Sequence, residues 1–245
     1  MLRLTFCAAL MGVSTTAHAA DEQQSPSIDL SGTAMVASDY RFRGISLSDG
    51  RPALQGSLTA TYRSGLYATA WASNIDGLGE LGGSNLEVDL GAGYKFSRGS
   101  TTYDAGLLYY AYPGSSGGDF EFFEPYASVS HQSGRTTGRL SMAIAPAQSA
   151  IGNRSNIYVA ADVSYVLEVA PVTLRTHIGR SDGKTTLSPG GGYTDWSLGA
   201  ETQWRKVVLG LSLAGTSISR TDARAVGARP RDVEPSVVAT ASLAF

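Results

Sequence analysis

A single transmembrane antiparallel β-barrel of about 12 strands is the fold that three features of the sequence predict together. Apolar residues alternate with polar ones over stretches of eleven residues and more, long enough to cross a bilayer. The connections between these stretches alternate between tight and long. Only 16% of the 245 residues are charged, against the roughly 25% usual in soluble domains, so much of the surface is expected to face something other than water.

The first twenty residues stand apart from the fold. Met1-Leu2-Arg3 is a short basic start, Leu4 to Val13 an apolar core and Ala17-His18-Ala19 a small-x-small site, the pattern of a cleaved signal peptide over 1–20. The barrel then occupies 21–245 as one domain, and an outer-membrane location in a Gram-negative bacterium follows. Cys7, the only cysteine, leaves with the leader, so no thiol, disulfide or cysteine-based metal site is expected. No later segment approaches the ~18 apolar residues of a membrane helix. The 29 glycines and nine prolines favour turns over helices. With net charge −2 and no basic block, binding of nucleic acid is not expected.

Alternation is clearest from Asn85 to Phe96. Leu86, Val88, Leu90, Ala92, Tyr94 and Phe96 share one face, with Glu87, Asp89, Gly91, Gly93 and Lys95 on the other. Asn156 to Glu168 repeats it, with Ile157, Val159, Ala161, Val163, Tyr165 and Leu167 opposite Asn156, Tyr158, Asp162, Ser164 and Glu168. Twelve segments follow the rule: 28–43, 53–62, 66–74, 85–96, 101–112, 120–131, 135–145, 155–168, 172–181, 193–204, 207–220 and 234–245. Tight connections are Arg63-Ser64-Gly65, Ser97-Arg98-Gly99, Gln132-Ser133-Gly134, Val169-Ala170-Pro171 and Arg205-Lys206. Long ones fall at 44–52, 75–84, 113–119, 146–154, 182–192 and 221–233. Sorted connections of this kind, with an even strand count, match periplasmic turns and external loops.

The oily parity is read as lipid-facing. It puts Ile28, Leu30, Gly32, Ala34, Val36, Tyr40 and Phe42 outward on the first segment, and Asp29, Thr33, Asp39, Arg41 and Arg43 inward. Trp196 and Trp204, near opposite ends of one segment, suit aromatic girdles. In the segment 66–74 the faces are ambiguous, since Tyr67 and Trp71 oppose Leu66 and Ala70. The tail alternates Val237, Ala239, Ala241, Leu243 and Phe245 outward, and an outward terminal aromatic is what barrel-assembly machinery reads.

The run Ser38-Asp39-Tyr40-Arg41-Phe42-Arg43-Gly44-Ile45-Ser46-Leu47-Ser48-Asp49-Gly50-Arg51-Pro52-Ala53-Leu54-Gln55-Gly56 resembles the N-terminal signature of the TorF family of porins. Ser64-Gly65-Leu66-Tyr67-Ala68 and Trp71-Ala72-Ser73-Asn74 belong to the same likeness, which covers about residues 28–96. The resemblance implies an outer-membrane barrel that passes small solutes and names none of them.

Parity also assigns the lumen. The inward acids are Asp39, Glu87, Asp89, Asp104, Glu124, Asp162, Glu168, Asp195 and Glu201; the inward bases are Arg41, Arg43, Lys95, Arg139 and Arg175, with His177 beside them. Nine acids against five bases predict weak cation selectivity, unless the groups pair and plug the barrel. Asp39, Arg41 and Arg43 are the group expected at a constriction.

A passive channel for small hydrophilic solutes is therefore the expectation, with no cofactor and no metal. Two alternatives stay open. A plugged structural or adhesive barrel would show the same pattern. A lipid-modifying hydrolase would use His131-Gln132-Ser133, whose spacing lets histidine activate serine on one strand face, though Gly134 follows where such enzymes carry Asn. Gly190-Gly191-Gly192 and Gly114-Ser115-Ser116-Gly117-Gly118 lack a following helix and read as flexible loops. Arg220, Arg224, Arg229 and Arg231 form a loop cluster that either is simply solvated or touches lipopolysaccharide phosphates.

Overall fold

The computed structural model describes residues 28–76, 81–225 and 228–245. The expected signal peptide, with Cys7 and His18, lies outside the described residues. Twelve strands close one antiparallel ring: β1 (Ile28–Ala37), β4 (Ala53–Tyr62), β5 (Leu66–Asn74), β6 (Leu86–Arg98), β7 (Thr101–Ala111), β8 (Phe122–Ser133), β9 (Thr136–Gln148), β10 (Arg154–Val166), β11 (Val172–Asp182), β12 (Gly192–Trp204), β13 (Val207–Thr216) and β14 (Ser236–Ala244). A separate hairpin pairs β2 (Arg41–Phe42) with β3 (Ile45–Ser46). Two short helices, α1 (Arg220–Ala225) and α2 (Pro230–Val233), sit in the loop before β14. No described helix is long and apolar enough to cross a membrane, which says nothing of a β-barrel.

Closure is made by β14 on β1, from Thr33↔Ala244 to Ala37↔Thr240. Gly32 and Phe245 extend this seam by exchanging two backbone hydrogen bonds, 2.8 and 3.0 Å. A side chain on Gly32 would stand 2.6 Å from the Phe245 ring, so glycine provides the space in which that ring lies.

The period-two pattern has a direct physical outcome. Leu30, Leu54, Leu140, Leu198 and Leu211 are each about 60% exposed on the outer wall, an arrangement a water-facing surface of this extent would not tolerate. Tyr62, Tyr94, Phe96, Tyr103, Tyr165 and Trp204 ring the tight-turn end, with Phe96 stacked on Tyr103 at 5.0 Å, while Tyr109 and Phe123 stand near the long-loop end. The ambiguous segment resolves with Tyr67 inward and buried and Leu66 outward.

Inside, large residues lie over small ones along one row of the wall. Tyr67, Gly93, Gly106 and Tyr126 form one cross-strand row over β5 to β8. The two tyrosines lean over the two glycines until their hydroxyls touch. A Cβ on Gly106 would meet the Tyr126 hydroxyl at 2.8 Å, and one on Gly93 the Tyr67 hydroxyl at 2.6 Å.

Four expectations are corrected. The first strand ends at Ala37 rather than 43, and residues 38–52 leave the wall, with 39–49 folded into the lumen instead of forming a strand end and an external loop. Tyr40 and Phe42, expected to face lipid, are therefore lumenal, and Arg41 and Arg43 stand on the inserted hairpin rather than on the wall. The period misled because the hairpin arm is itself extended and continues the alternation. β13 stops at Thr216, and the connection read as loop carries α1 and α2. Glu168, expected inward, lies past β10, exposed and 3.4 Å from Arg135.

Candidate functional site

The hairpin is a compact folded unit. Asp39 is its hub: its carboxylate accepts from Arg41 Nε at 2.7 Å, Ser46 Oγ at 2.6 Å and Ser48 Oγ at 3.1 Å. Leu47 N donates to Tyr40 O, and Arg41 Nη1 donates to the carbonyls of Gly44 and Glu234. Arg43 and Gly44 form the two-residue turn, with φ of 48° and 79°, the left-handed pair required by a type I′ hairpin.

The turn reaches across the barrel. Arg43 Nη2 donates to both oxygens of Glu124 on β8, at 2.9 and 2.6 Å, and β8 stands on the far side of the ring from β1. The Arg43 guanidinium carbon lies 4.1 Å from the centre of the Tyr158 ring on β10. Tyr193 on β12 donates to Arg43 O at 3.1 Å, and Tyr110 on β7 donates to Glu124 at 3.2 Å. A side chain at Gly44 would meet Thr216 Cγ2 at 2.7 Å and Asp195 Cβ at 2.9 Å, so the tip is wedged against β12 and β13. Tyr40 packs on Trp71 and Phe42 edge-on to Tyr110, joining a buried cluster with Leu47, Tyr112, Phe122 and Ile151 near the long-loop end.

The root of the hairpin is held from the last long loop. Asp49, buried and at φ 59°, pairs with Arg229 at 2.6 Å and with Arg231. Arg51 pairs with Asp76, and Asp76 N donates to Leu47 O. Arg229 in turn holds Asp232 in α2, and Arg220 pairs with Glu234 at 2.7 Å.

The remaining lumenal residues fall in two layers. Toward the long loops, Glu87 and Asp89 on β6 are buried; Tyr112 donates to Glu87 at 3.2 Å, and no cation pairs with either carboxylate among the described residues. Burial, and then the Glu87 carboxylate, push the Tyr112 phenol, just beyond β7, well above its ordinary range and keep it a donor. Toward the tight turns, Lys95 stands 3.9 Å from Asp104, which also accepts from Tyr67 at 2.8 Å, and Arg175 pairs with Glu201 at 2.6 Å. His177 is bonded on both ring nitrogens, to Asp162 at 2.7 Å and Asp195 at 2.8 Å. Arg139 on β9 touches Ser128 Oγ at 3.2 Å. Among the described residues no cluster of three or more His, Cys, Asp or Glu is arranged to hold a metal.

The hairpin brings Asp39 and Arg41 together and sends Arg43 to the opposite wall. Sequence reading missed Tyr110 and Tyr193 as partners of that reach, and the Asp49 node; it had Tyr158 on the inward parity but not its contact with Arg43. Phe42-Arg43-Gly44-Ile45 held a signal, a glycine-bearing two-residue turn between apolar residues. His131 and Ser133 both face outward near the tight-turn end; they share no hydrogen bond among the described residues, and His131 Nδ1 instead lies 2.9 Å from Thr101 Oγ1.

A family model described as "Bacterial protein of unknown function (Gcw_chp)" matches residues 20–242. Among solved structures, the NanC porin is similar with TM-score 0.55 at 9% identity, covering 89% of this chain and 99% of that one. The KdgM porin, solved with disordered oligogalacturonate, has TM-score 0.55 at 6% identity, covering 88% and 97%. An outer membrane channel from Pseudomonas putida has TM-score 0.51 at 12% identity, covering 94% and 100%. These likenesses establish the porin-like barrel fold. No curated protein matches the chain in sequence.

Proposed function

We propose that this chain, which belongs to the Gcw_chp family of bacterial proteins, is a passive outer-membrane channel for small hydrophilic solutes, narrowed by its own inserted hairpin and weakly selective for cations. The observation that carries the reading is the Arg43–Glu124 bridge: a closed barrel with a lipid-facing wall has its lumen spanned, at the long-loop end, by a braced polar segment. Such a segment divides a bore into a narrow passage and sets what traverses it. The likeness of 38–56 to TorF porins supports the same role. Cation preference rests on charge: most interior charges are paired, whereas Glu87 and Asp89 have no cationic partner among the described residues.

The tight turns face the periplasm, Phe245 presents its ring to the assembly machinery, and exposed Arg220 and Arg231 face the phosphates of lipopolysaccharide.

The test is single-channel recording of the refolded chain in a planar bilayer under a KCl gradient. Reproducible steps with a cation-signed reversal potential are expected. A folded barrel that stays silent would overturn the channel reading in favour of a plugged structural barrel, which the buried hairpin cluster favours as the second interpretation.

A further inference from the structure

Beneath the hairpin tip the lumen holds a cavity of about 90 Å³, lined by Phe42 and Arg43 from the hairpin and by Leu108, Tyr126, Arg139 and Tyr158 from the wall. Arg139 differs from the other interior cations. Arg41, Arg43, Lys95, Arg175 and His177 each have a carboxylate within 4 Å. Arg139 has none among the described residues; it is 9% exposed, its Nη2 contacts Ser128, and its Nε is buried without a partner. Asp162 lies directly across from it in the β9–β10 register but is drawn to His177 on the other side. A buried guanidinium with no carboxylate within ion-pair distance is costly and favours an anion that reaches it.

We propose that Arg139 docks the carboxylate of a small organic monoacid with a flat, largely apolar body, held in the cavity under the hairpin. The planar guanidinium fork matches a carboxylate, and the rings of Phe42, Tyr126 and Tyr158 with Leu108 supply the apolar wall for the body. Asp104 and Glu124 also line the cavity, and each is already bonded within the protein, to Tyr67 and to Arg43. They repel a second negative charge, so a monoanion is selected over a dianion. The inference deepens the channel reading by naming a solute class and relies on that reading for the solute's route.

Benzoate is the probe, with phthalate as the dianion and benzyl alcohol as the uncharged body. Binding is measured by calorimetry on the full refolded chain in detergent, and separately as benzoate block of the KCl current. Benzoate is expected to bind about tenfold or more tightly than either comparison compound, and Arg139→Gln to lose that advantage. Arg139→Lys, which keeps the charge, is expected to bind at an intermediate level. Heat-modifiable gel mobility verifies that each variant is folded. Equal binding of benzoate by wild type and a folded Arg139→Gln overturns the inference, as does benzyl alcohol or phthalate binding as tightly as benzoate. A conducting channel that binds no benzoate defeats this inference alone. A silent barrel that binds benzoate through Arg139 upholds the site and defeats the channel reading.

Discussion

Replacing Glu124 with Gln tests the bridge across the lumen at its far anchor. The change keeps the shape of a fully buried side chain and removes its charge, leaving Arg43, itself 8% exposed, without a counter-ion. Removing one partner of a buried ion pair costs about 3–5 kcal/mol. At about 1.4 kcal/mol per tenfold, the balance between docked and released tip shifts by roughly two to three and a half powers of ten. The contacts that remain are individually smaller. Tyr193 on Arg43 O supplies about 0.5–1.5 kcal/mol, the ring pairs Tyr40–Trp71 and Phe42–Tyr110 about 0.5–1.5 kcal/mol each, and the Tyr158 face about 2 kcal/mol. Single-channel records of Glu124→Gln should therefore show a second, higher conductance level visited reversibly. Arg43→Gln should show the same level, and the double variant should be no more open than either single one, because the shared bond is lost once. Wild-type conductance and dwell times in Glu124→Gln would refute the claim that this pair holds the constriction.

Gly44→Ala places a Cβ against Thr216 and Asp195 at a left-handed position, adding about 1–2 kcal/mol of backbone strain to the overlap, and should raise conductance while the barrel still folds; unchanged conductance would contradict the wedge. Asp49→Asn removes the charge shared by Arg229 and Arg231, so trypsin cleavage after Arg224 and Arg231 should speed up about 2- to 10-fold, and equal rates would dismiss the root anchor. Glu87→Gln combined with Asp89→Asn should move the reversal potential toward anions; no movement would remove these carboxylates from selectivity. Gly106→Ala places a Cβ 2.5 Å from Ala92 O and 2.8 Å from the Tyr126 hydroxyl and should cost about 1–3 kcal/mol in urea unfolding; no loss would contradict the close approach of backbone and tyrosine at this glycine.

The barrel was legible because its determinant is local: each wall residue must choose lipid or lumen, and the choice repeats every second position. The row from Glu87 to Lys95 and its partners could be assigned to the interior from parity alone. The hairpin was not legible for the same reason. Asp39, Arg41 and Arg43 keep the wall's parity, which already put them inward, and what takes them off the wall is long-range, the reach of Arg43 to Glu124 and of Arg41 to Glu234 O. Pairing was equally hidden. Arg139 and Arg175 look alike in sequence, yet Arg175 has Glu201 beside it and Arg139 has only Ser128. Asp49 was unmarked because its arginines arrive from a loop about 180 residues away.

A thin-walled tube is soft against flattening, because ovalising its cross-section stretches no hydrogen bond very far. A strut across a diameter removes that softness where it is fitted. Since the Arg43–Glu124 tie joins near-opposite walls at the long-loop end only, that rim is held round while the tight-turn end remains free to breathe, so shape fluctuations of the cylinder should be graded along its axis.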